Sequence, residues 1–230
     1  TRRIADGDMI HIEDIQDQVE LALMRDEHHK VARAYVLYRE QRAASRYHTK
    51  KLKEQVGDKA SSMMVTKRDG SKEPISLDKI TNRVSVLSTG LNIDPIVVVQ
   101  KAVPGLYNNI SSVEIDTYLA ETAAALTVEH PDYSYLAARI KVNSLHKETP
   151  GFIIATKNLY EDGLLREDYY KKVLANADEI ESIIDYDKDY TFDYFALTTL
   201  IRAYLLKFDN RTIERPQDLW MRVTLTVSGK

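Results

Sequence analysis

The spacing of apolar side chains divides the chain into a series of short helices with one hairpin set among them. Ile12, Ile15, Val19 and Leu23 recur at helical intervals and predict an amphipathic helix near the start of the chain. A charged turn, Arg25-Asp26-Glu27-His28-His29-Lys30, separates it from a second helical stretch, Val31 to Arg39. Gln41 to Ser62 is polar and basic, with Lys50, Lys51, Lys53 and Lys59; it reads as a helix tail followed by a linker over residues 46–62. At Asp69-Gly70 the period changes. Two short polar–apolar runs flank a dipeptide suited to a two-residue hairpin turn, because Gly accepts the positive φ that such turns require. Pro74 has no N–H to give to a ladder, so the second strand is expected at an edge or very short.

Helical patterning then resumes. Ser76 suits an N-cap, Leu77, Ile80, Val84, Leu87 and Leu91 form the stripe behind it, and Gly90 closes the helix. Asp94-Pro95, a cap followed by a first-turn proline, opens the next helix, and Pro104-Gly105 should break or kink it. Ser111 and Glu114 form a capping box ahead of Ile115, Leu119, Ala123 and Leu126. Pro131-Asp132 opens a fourth helix, on which Leu136, Asn143 and Lys147 lie along one side. Beyond Gly151 helical patterning continues to Ile184, and the aromatic-rich stretch from Tyr186 to Tyr204 begins a new packed unit.

The pattern also repeats. Ile10…Ile15 and Ile110…Ile115 each lead into an amphipathic helix, and Ala32-Arg33 recurs as Ala138-Arg139. Residues 1–45 therefore read as the second half of a unit whose complete copy is residues 63–149. The chain is expected to start inside a domain, as a fragment of a longer protein.

Composition narrows the function. The 230 residues are 43% hydrophobic and 29% charged, ordinary for a soluble globular chain. A formal net charge of −3 supplies no overall basic field for nucleic acid or an anionic membrane. No apolar run approaches the roughly 18 residues of a membrane span, and the opening Thr1-Arg2-Arg3-Ile4 does not read as a secretory signal. A cytoplasmic protein with neither nucleic acid nor membrane as partner is expected. There is no cysteine, which excludes disulfides, thiolate zinc sites and thiol chemistry on this chain. His28-His29 has no further ligand type at metal spacing and reads as a turn.

Any anion site must then be local. Lys67 is on the first strand of the hairpin. Lys79 is in the first turn of the following helix, where a cation opposes the helix dipole unless an anion is near. Lys147 joins them if the fourth helix closes against the hairpin. Phosphates seek such cations together with N–H groups. Ile75 and Ile80 would cover a base, with Glu73 and Asp116 as acceptors for a ribose or an amino group. The same residues also fit a plainer reading: solvated lysines, core isoleucines, a turn, and a Ser112 that merely begins a helix.

The motifs in their order make the stretch recognisable. Val65-Thr66-Lys67-Arg68-Asp69-Gly70, Leu77-Asp78-Lys79-Ile80, Val113-Glu114-Ile115-Asp116, His130-Pro131-Asp132-Tyr133 with Leu136-Ala137-Ala138-Arg139, and Leu145-His146-Lys147-Glu148 resemble the ATP-cone of ribonucleotide reductase large subunits over residues 63–149. Residues 1–45, through Ile12-Glu13-Asp14-Ile15-Gln16-Asp17 and Ala34-Tyr35-Val36-Leu37-Tyr38-Arg39-Glu40, resemble the back half of a preceding cone. Asp185-Tyr186-Asp187-Lys188-Asp189, Tyr204-Leu205-Leu206 and Glu214-Arg215-Pro216-Gln217 resemble the helical start of the reductase catalytic domain, over residues 150–230, in its class I, diphosphate-reducing form.

The resemblance implies a mainly α fold: a four-helix bundle capped by a small β-sheet, followed by that helical segment. It implies an allosteric site for ATP as activator and dATP as inhibitor, with Mg²⁺, controlling overall activity in deoxyribonucleotide synthesis. The nucleotide-binding residues it implies are Lys67, Arg68, Glu73, Pro74, Ile75, Ser76, Leu77, Asp78, Lys79, Ile80, Ser112, Asp116, Asn143 and Lys147. The implied partners are further copies of the large subunit and a radical-generating small subunit. The family's chemistry uses a cysteine thiyl radical, so a chain without cysteine is regulatory, with no catalytic cofactor of its own and the active-site part expected beyond Lys230. The chain departs from the pattern at Pro74, Pro104, Ser112 (threonine is common there) and Asn143 (aromatic in some members). The alternative is a degenerate cone that serves as a helical subunit-interaction module without nucleotide.

Overall fold

A computed structural model describes residues 12–26, 28–56 and 63–228. Ile10 of the repeat, Glu27 of the charged turn and residues 57–62 of the expected linker lie outside the described residues. The chain forms two compact units, one through Lys51 and one from Leu52 onward.

The first unit holds α1 (Ile12–Arg25) and most of α2 (His29–Val56). Arg39 of α2 reaches Asp17 (2.5 Å) and Glu20 (3.8 Å) of α1, and Ala32 is fully buried. The stripe expected to form one apolar face is helical, with Ile15 and Val19 exposed. Helix α2 runs through residues 46–56, expected as linker. No Gly or Pro interrupts it before Gly57, and Lys, Glu, Gln and Ala favour the helix.

The second unit opens on the hairpin. Strand β1 (Met64–Thr66) pairs antiparallel with β2 (Lys72–Pro74) and parallel with β3 (Ile110–Ser111), in the order β2-β1-β3. Pro74 therefore ends a three-residue edge strand, as its missing N–H requires. The loop is not the expected two-residue turn. Lys67 N–H donates to the Ser71 carbonyl (2.8 Å) and Gly70 N–H to the Lys67 carbonyl (3.0 Å), which leaves a three-residue loop, Arg68-Asp69-Gly70. Of the three only Gly70 has positive φ, at 82°. A two-residue type I′ turn needs positive φ at both centres, whereas a type I turn followed by one left-handed glycine does not. Asp69 decides between them by accepting from the Ser71 N–H (2.8 Å) and hydroxyl (2.6 Å).

Four helices follow as a bundle under this sheet: α3 (Leu77–Leu87), α4 (Pro95–Ala102), α5 (Ser112–Ala125) and α6 (Asp132–Glu148). Ser76 caps α3, Asp94 caps α4, and the Ser111–Glu114 capping box starts α5. Pro104-Gly105 tightens the end of α4 into a 3₁₀ turn at Val103–Gly105. Val65, Ile75, Leu77, Ile80, Val84, Ile96, Val99, Ile115, Leu119 and Leu136 share one core.

Helix α6 divides its faces. Tyr133, Leu136, Ala137 and Ile140 enter the bundle core. Ala138 and Val142 pack on Leu197, and Leu145 packs on Leu205 and Leu219, all in the tail. The tail comprises α7 (Phe152–Glu161), α8 (Glu167–Ala175), α9 (Ala177–Ile183), a 3₁₀ turn at Tyr186–Thr191, α10 (Tyr194–Ala203), a β4 (Lys207–Phe208) and β5 (Arg211–Thr212) hairpin, and α11 (Pro216–Val227). Asp209 (φ 52°) and Asn210 (φ 62°) make the turn of that hairpin, two short polar residues able to adopt the left-handed conformation.

Hydrogen bonds lock bundle to tail. Arg215 donates to the carbonyl (2.6 Å) and hydroxyl (3.0 Å) of Thr149 and to the His146 carbonyl (3.2 Å), with its guanidinium 4.5 Å from the Tyr186 ring centroid. His146 Nε2 lies 2.7 Å from Asp189 Oδ2, and the Gln217 N–H donates to Asp189 Oδ1 (3.1 Å). The Tyr186 hydroxyl donates to Asp218 (2.7 Å), and burial pushes the Asp218 carboxyl up to about 6.

Candidate functional site

The hairpin and the start of α3 enclose a cavity of about 440 Å³, within the range of about 300–1,000 Å³ common for small-molecule sites. Its floor is apolar: Val65 of β1, Ile75, Ile80 of α3 and Ile115 of α5. Its rim is charged, with Lys67, Arg68, Asp69, Glu73, Lys79 and Arg83, and carries the hydroxyls of Ser76 and Ser112. Lys79, Ile80 and Arg83 reach it together because residues three and four apart share a helix face. Ser76 fixes where that face begins, through its Oγ and the Lys79 N–H (3.3 Å).

One carboxylate holds a lysine of the hairpin and a lysine of α3. Glu73 lies 2.7 Å from Lys67 Nζ and 3.2 Å from Lys79 Nζ. Hydrogen bonds from the two ammoniums hold the Glu73 carboxyl below its usual value, and Glu73 in turn raises Lys67. The Ser71 hydroxyl and N–H lower Asp69 in the same way. All three side chains are solvent-accessible, so these pairs can exchange partners at small cost.

Behind the rim the charges are fixed. Asp116 of α5 is buried, and each of its oxygens meets a guanidinium: Arg68 at 3.2 Å and Arg83 in a closer contact. Arg68 also donates to Ser144 (2.8 Å) and Glu148 (3.1 Å) of α6. Asp116, read from the sequence as an acceptor for a ribose or amino group, here holds two arginines in place. Lys147 faces a neighbouring cavity on the far side of Arg68. Desolvation and the guanidiniums of Arg83 and Arg68 lower its affinity for a proton.

Of the residues singled out in the sequence, Lys67, Arg68, Glu73, Ile75, Ser76, Lys79, Ile80 and Ser112 converge on the hairpin cavity. Asp116 and Lys147 line the neighbouring one. Pro74, Leu77, Asp78 and Asn143 line neither: Pro74 ends the edge strand, Leu77 is buried in the core, Asp78 is in the first turn of α3, and Asn143 is half-buried on α6. Sequence reasoning missed Val65, Asp69, Arg83 and Ile115. Arg83 had a signal, since it follows Lys79 by one helical turn. Among the described residues no group of three His, Asp or Glu side chains is placed to hold a metal, and no helix is long and apolar enough to cross a membrane.

The ATP cone domain family matches residues 1–44 and 63–148, and the ribonucleotide reductase all-alpha domain matches residues 190–230. The chain is 42% identical over 182 residues to the ribonucleoside-diphosphate reductase large subunit of Caenorhabditis elegans, covering 74% of this chain and 23% of that protein. It is 40% identical over 181 residues to the large chain of Schizosaccharomyces pombe, covering 73% and 22%. It is 40% identical over 178 residues to the large subunit of variola virus, covering 72% and 23%. The chain spans less than a quarter of the length of these relatives. The match over 63–148 takes in the hairpin, the capped helices and the arginine-bound Asp116, and the match over 1–44 adds a second segment of the same kind: the chain belongs to the ATP cone domain family.

Proposed function

We propose that this chain is the effector-sensing region of a ribonucleoside-diphosphate reductase large subunit, with ATP and dATP as alternative ligands of the hairpin cavity. The observation that carries the reading is the bridge made by Glu73. It occupies two lysines above an apolar floor, near the solvent, where a triphosphate can take its place. The phosphates would engage Lys67 and Lys79, with Arg68 and Arg83 held close by Asp116. A base would lie on Val65, Ile75, Ile80 and Ile115. Mg²⁺ would arrive on the phosphates, with Glu73, released from its lysines, and Asp69 as the nearest carboxylates.

Regulation follows from linkage. An effector shifts the balance between two assembly states only by the difference in its affinity for them. ATP and dATP, which differ by one hydroxyl, would favour different associations of large subunits and so control radical delivery from the small subunit. The residues of this chain supply no thiol or thiyl radical, having no cysteine.

Calorimetry of the chain with ATP and with dATP tests this. Wild type is expected to bind at least one with micromolar or tighter affinity. Lys67→Ala and Lys79→Ala should each weaken binding about tenfold to a hundredfold, the loss of one charge-assisted hydrogen bond. No heat with either nucleotide would sink the reading and leave the subunit-interaction module.

A further inference from the structure

Arg139 of α6 lines neither the hairpin cavity nor its neighbour, and the nucleotide reading leaves it without a role. Its guanidinium reaches two other elements at once. Nη1 donates to the carbonyls of Leu87 (3.0 Å) and Thr89 (2.8 Å), at the C-terminal end of α3. The Nε–H donates to the Tyr190 carbonyl (3.4 Å), in the 3₁₀ turn of the tail.

A helix end leaves its last carbonyls without partners in the helix. At α3 neighbouring residues meet several of them: the Ser88 N–H bonds the Val84 carbonyl, the Ser88 hydroxyl that of Ser85, and the Thr89 N–H and hydroxyl that of Val86. Those of Leu87 and Thr89 are met by Arg139. Helix α3 has no basic residue in its own last turn, so the cation that complements its dipole there comes from α6. The opposite end of α3 walls the hairpin cavity through Ser76, Lys79, Ile80 and Arg83. One rod of 11 residues therefore runs from the cavity to Arg139.

The turn that Arg139 holds gathers the tail. Within it, Asp189 accepts from the Gln217 N–H of α11, and the Tyr186 hydroxyl donates to Asp218 of α11 while accepting from the Phe152 N–H of α7 (3.0 Å). A displacement of this turn reaches α7 and α11 together.

We infer that Arg139 is a positioning residue that passes the state of the hairpin cavity to the tail, by holding the end of α3 and the Tyr186–Thr191 turn on one guanidinium. The inference rests on the reading of that cavity as an effector site. A ligand that rearranges Lys79 and Arg83 acts on α3 near its start. The planar fork fixes the directions of the carbonyls it bonds, so the far end of α3 cannot tilt without carrying Tyr190 or breaking a bond.

Hydrogen exchange of the amides of residues 186–197, read on the whole chain with and without saturating ATP, tests this. ATP should slow that exchange about threefold or more in wild type and leave it unchanged in Arg139→Gln. Coupling is reciprocal, so ATP affinity by calorimetry should fall in Arg139→Gln by no more than about the same factor. An equal response of the tail in both proteins overturns the proposal and hands the coupling to the packing of α6; so does ATP that binds wild type without changing the tail. A second arm needs no nucleotide. Ser76→Ala loosens the start of α3, and should speed exchange of the same amides about twofold or more with Arg139 present and not at all in Arg139→Gln. No speeding with Arg139 present, or equal speeding in both backgrounds, overturns the proposal. Absence of ATP binding in wild type would fail the effector reading, and this second arm would then decide on Arg139 by itself. Unfolding midpoints show whether Arg139→Gln is folded; if it is not, Arg139→Lys, which keeps the charge and loses the fork, replaces it.

Discussion

Two carboxylates in this molecule are pushed in opposite directions. Glu73, on the rim of the hairpin cavity, is held below its usual value by two lysines and stays in contact with water. Asp218, at the joint of bundle and tail, is buried and pushed up to about 6. The difference separates a site from a joint. In the cavity, the charges are complete in number but loosely held, and an incoming phosphate can redistribute them. In the joint, Asp189 and Asp218 are buried and meet fixed partners, Asp189 on His146 and Gln217 and Asp218 on Tyr186 and Arg215.

The contrast is broken most severely at Arg215. Arg215→Ala leaves two carbonyls and a hydroxyl of the α6 end without their donor, and should lower the unfolding free energy by about 3 kcal/mol in urea titrations. Nucleotide affinity should stay within twofold. A large loss of affinity with little loss of stability would reverse the assignment of the two regions.

The pH dependence sharpens it. Asp218 has a folded value raised above that of the unfolded chain, so its contribution to stability is full below about 4 and is lost as pH rises through about 6. Glu73 has the opposite sign: its contribution is present above its unfolded value and fades as pH falls through its depressed one. Asp218→Asn should therefore remove a downward slope of about 2–3 kcal/mol between pH 4 and 6, read as the difference between wild type and variant. Identical slopes would show that Asp218 ionises freely in the fold. The smallest effect is at Ser76. Ser76→Ala should cost about 1 kcal/mol by loss of the α3 cap, checked by urea titration, and weaken nucleotide only severalfold.

Much of the fold was legible because it is punctuated locally. Ser76, Asp94-Pro95, Ser111 with Glu114, and Pro131-Asp132 each mark a helix start through a hydrogen bond or ring within a few residues. What depends on distant partners was not. Asp69-Gly70 fits a two- or a three-residue loop, and the choice rests on an Asp69–Ser71 bond. Arg83 looks like any surface helix cation until Asp116 arrives from α5. Strands as short as Lys207–Phe208 and Arg211–Thr212 leave no alternation to read, so the hairpin they form was invisible. The tail motifs around Asp189 and Gln217 were noticed as signatures, but only the fold brings them to one point on α6.

Helix α6 gives one face to the bundle through Leu136 and Ile140 and another to the tail through Val142 and Leu145. Its order is therefore a shared property. Melting either layer strips cover from a rod that the other layer needs, so the two should lose structure in one cooperative step. A free energy of folding belongs to the pair and cannot be divided between them, and a substitution on one side of the rod registers on both.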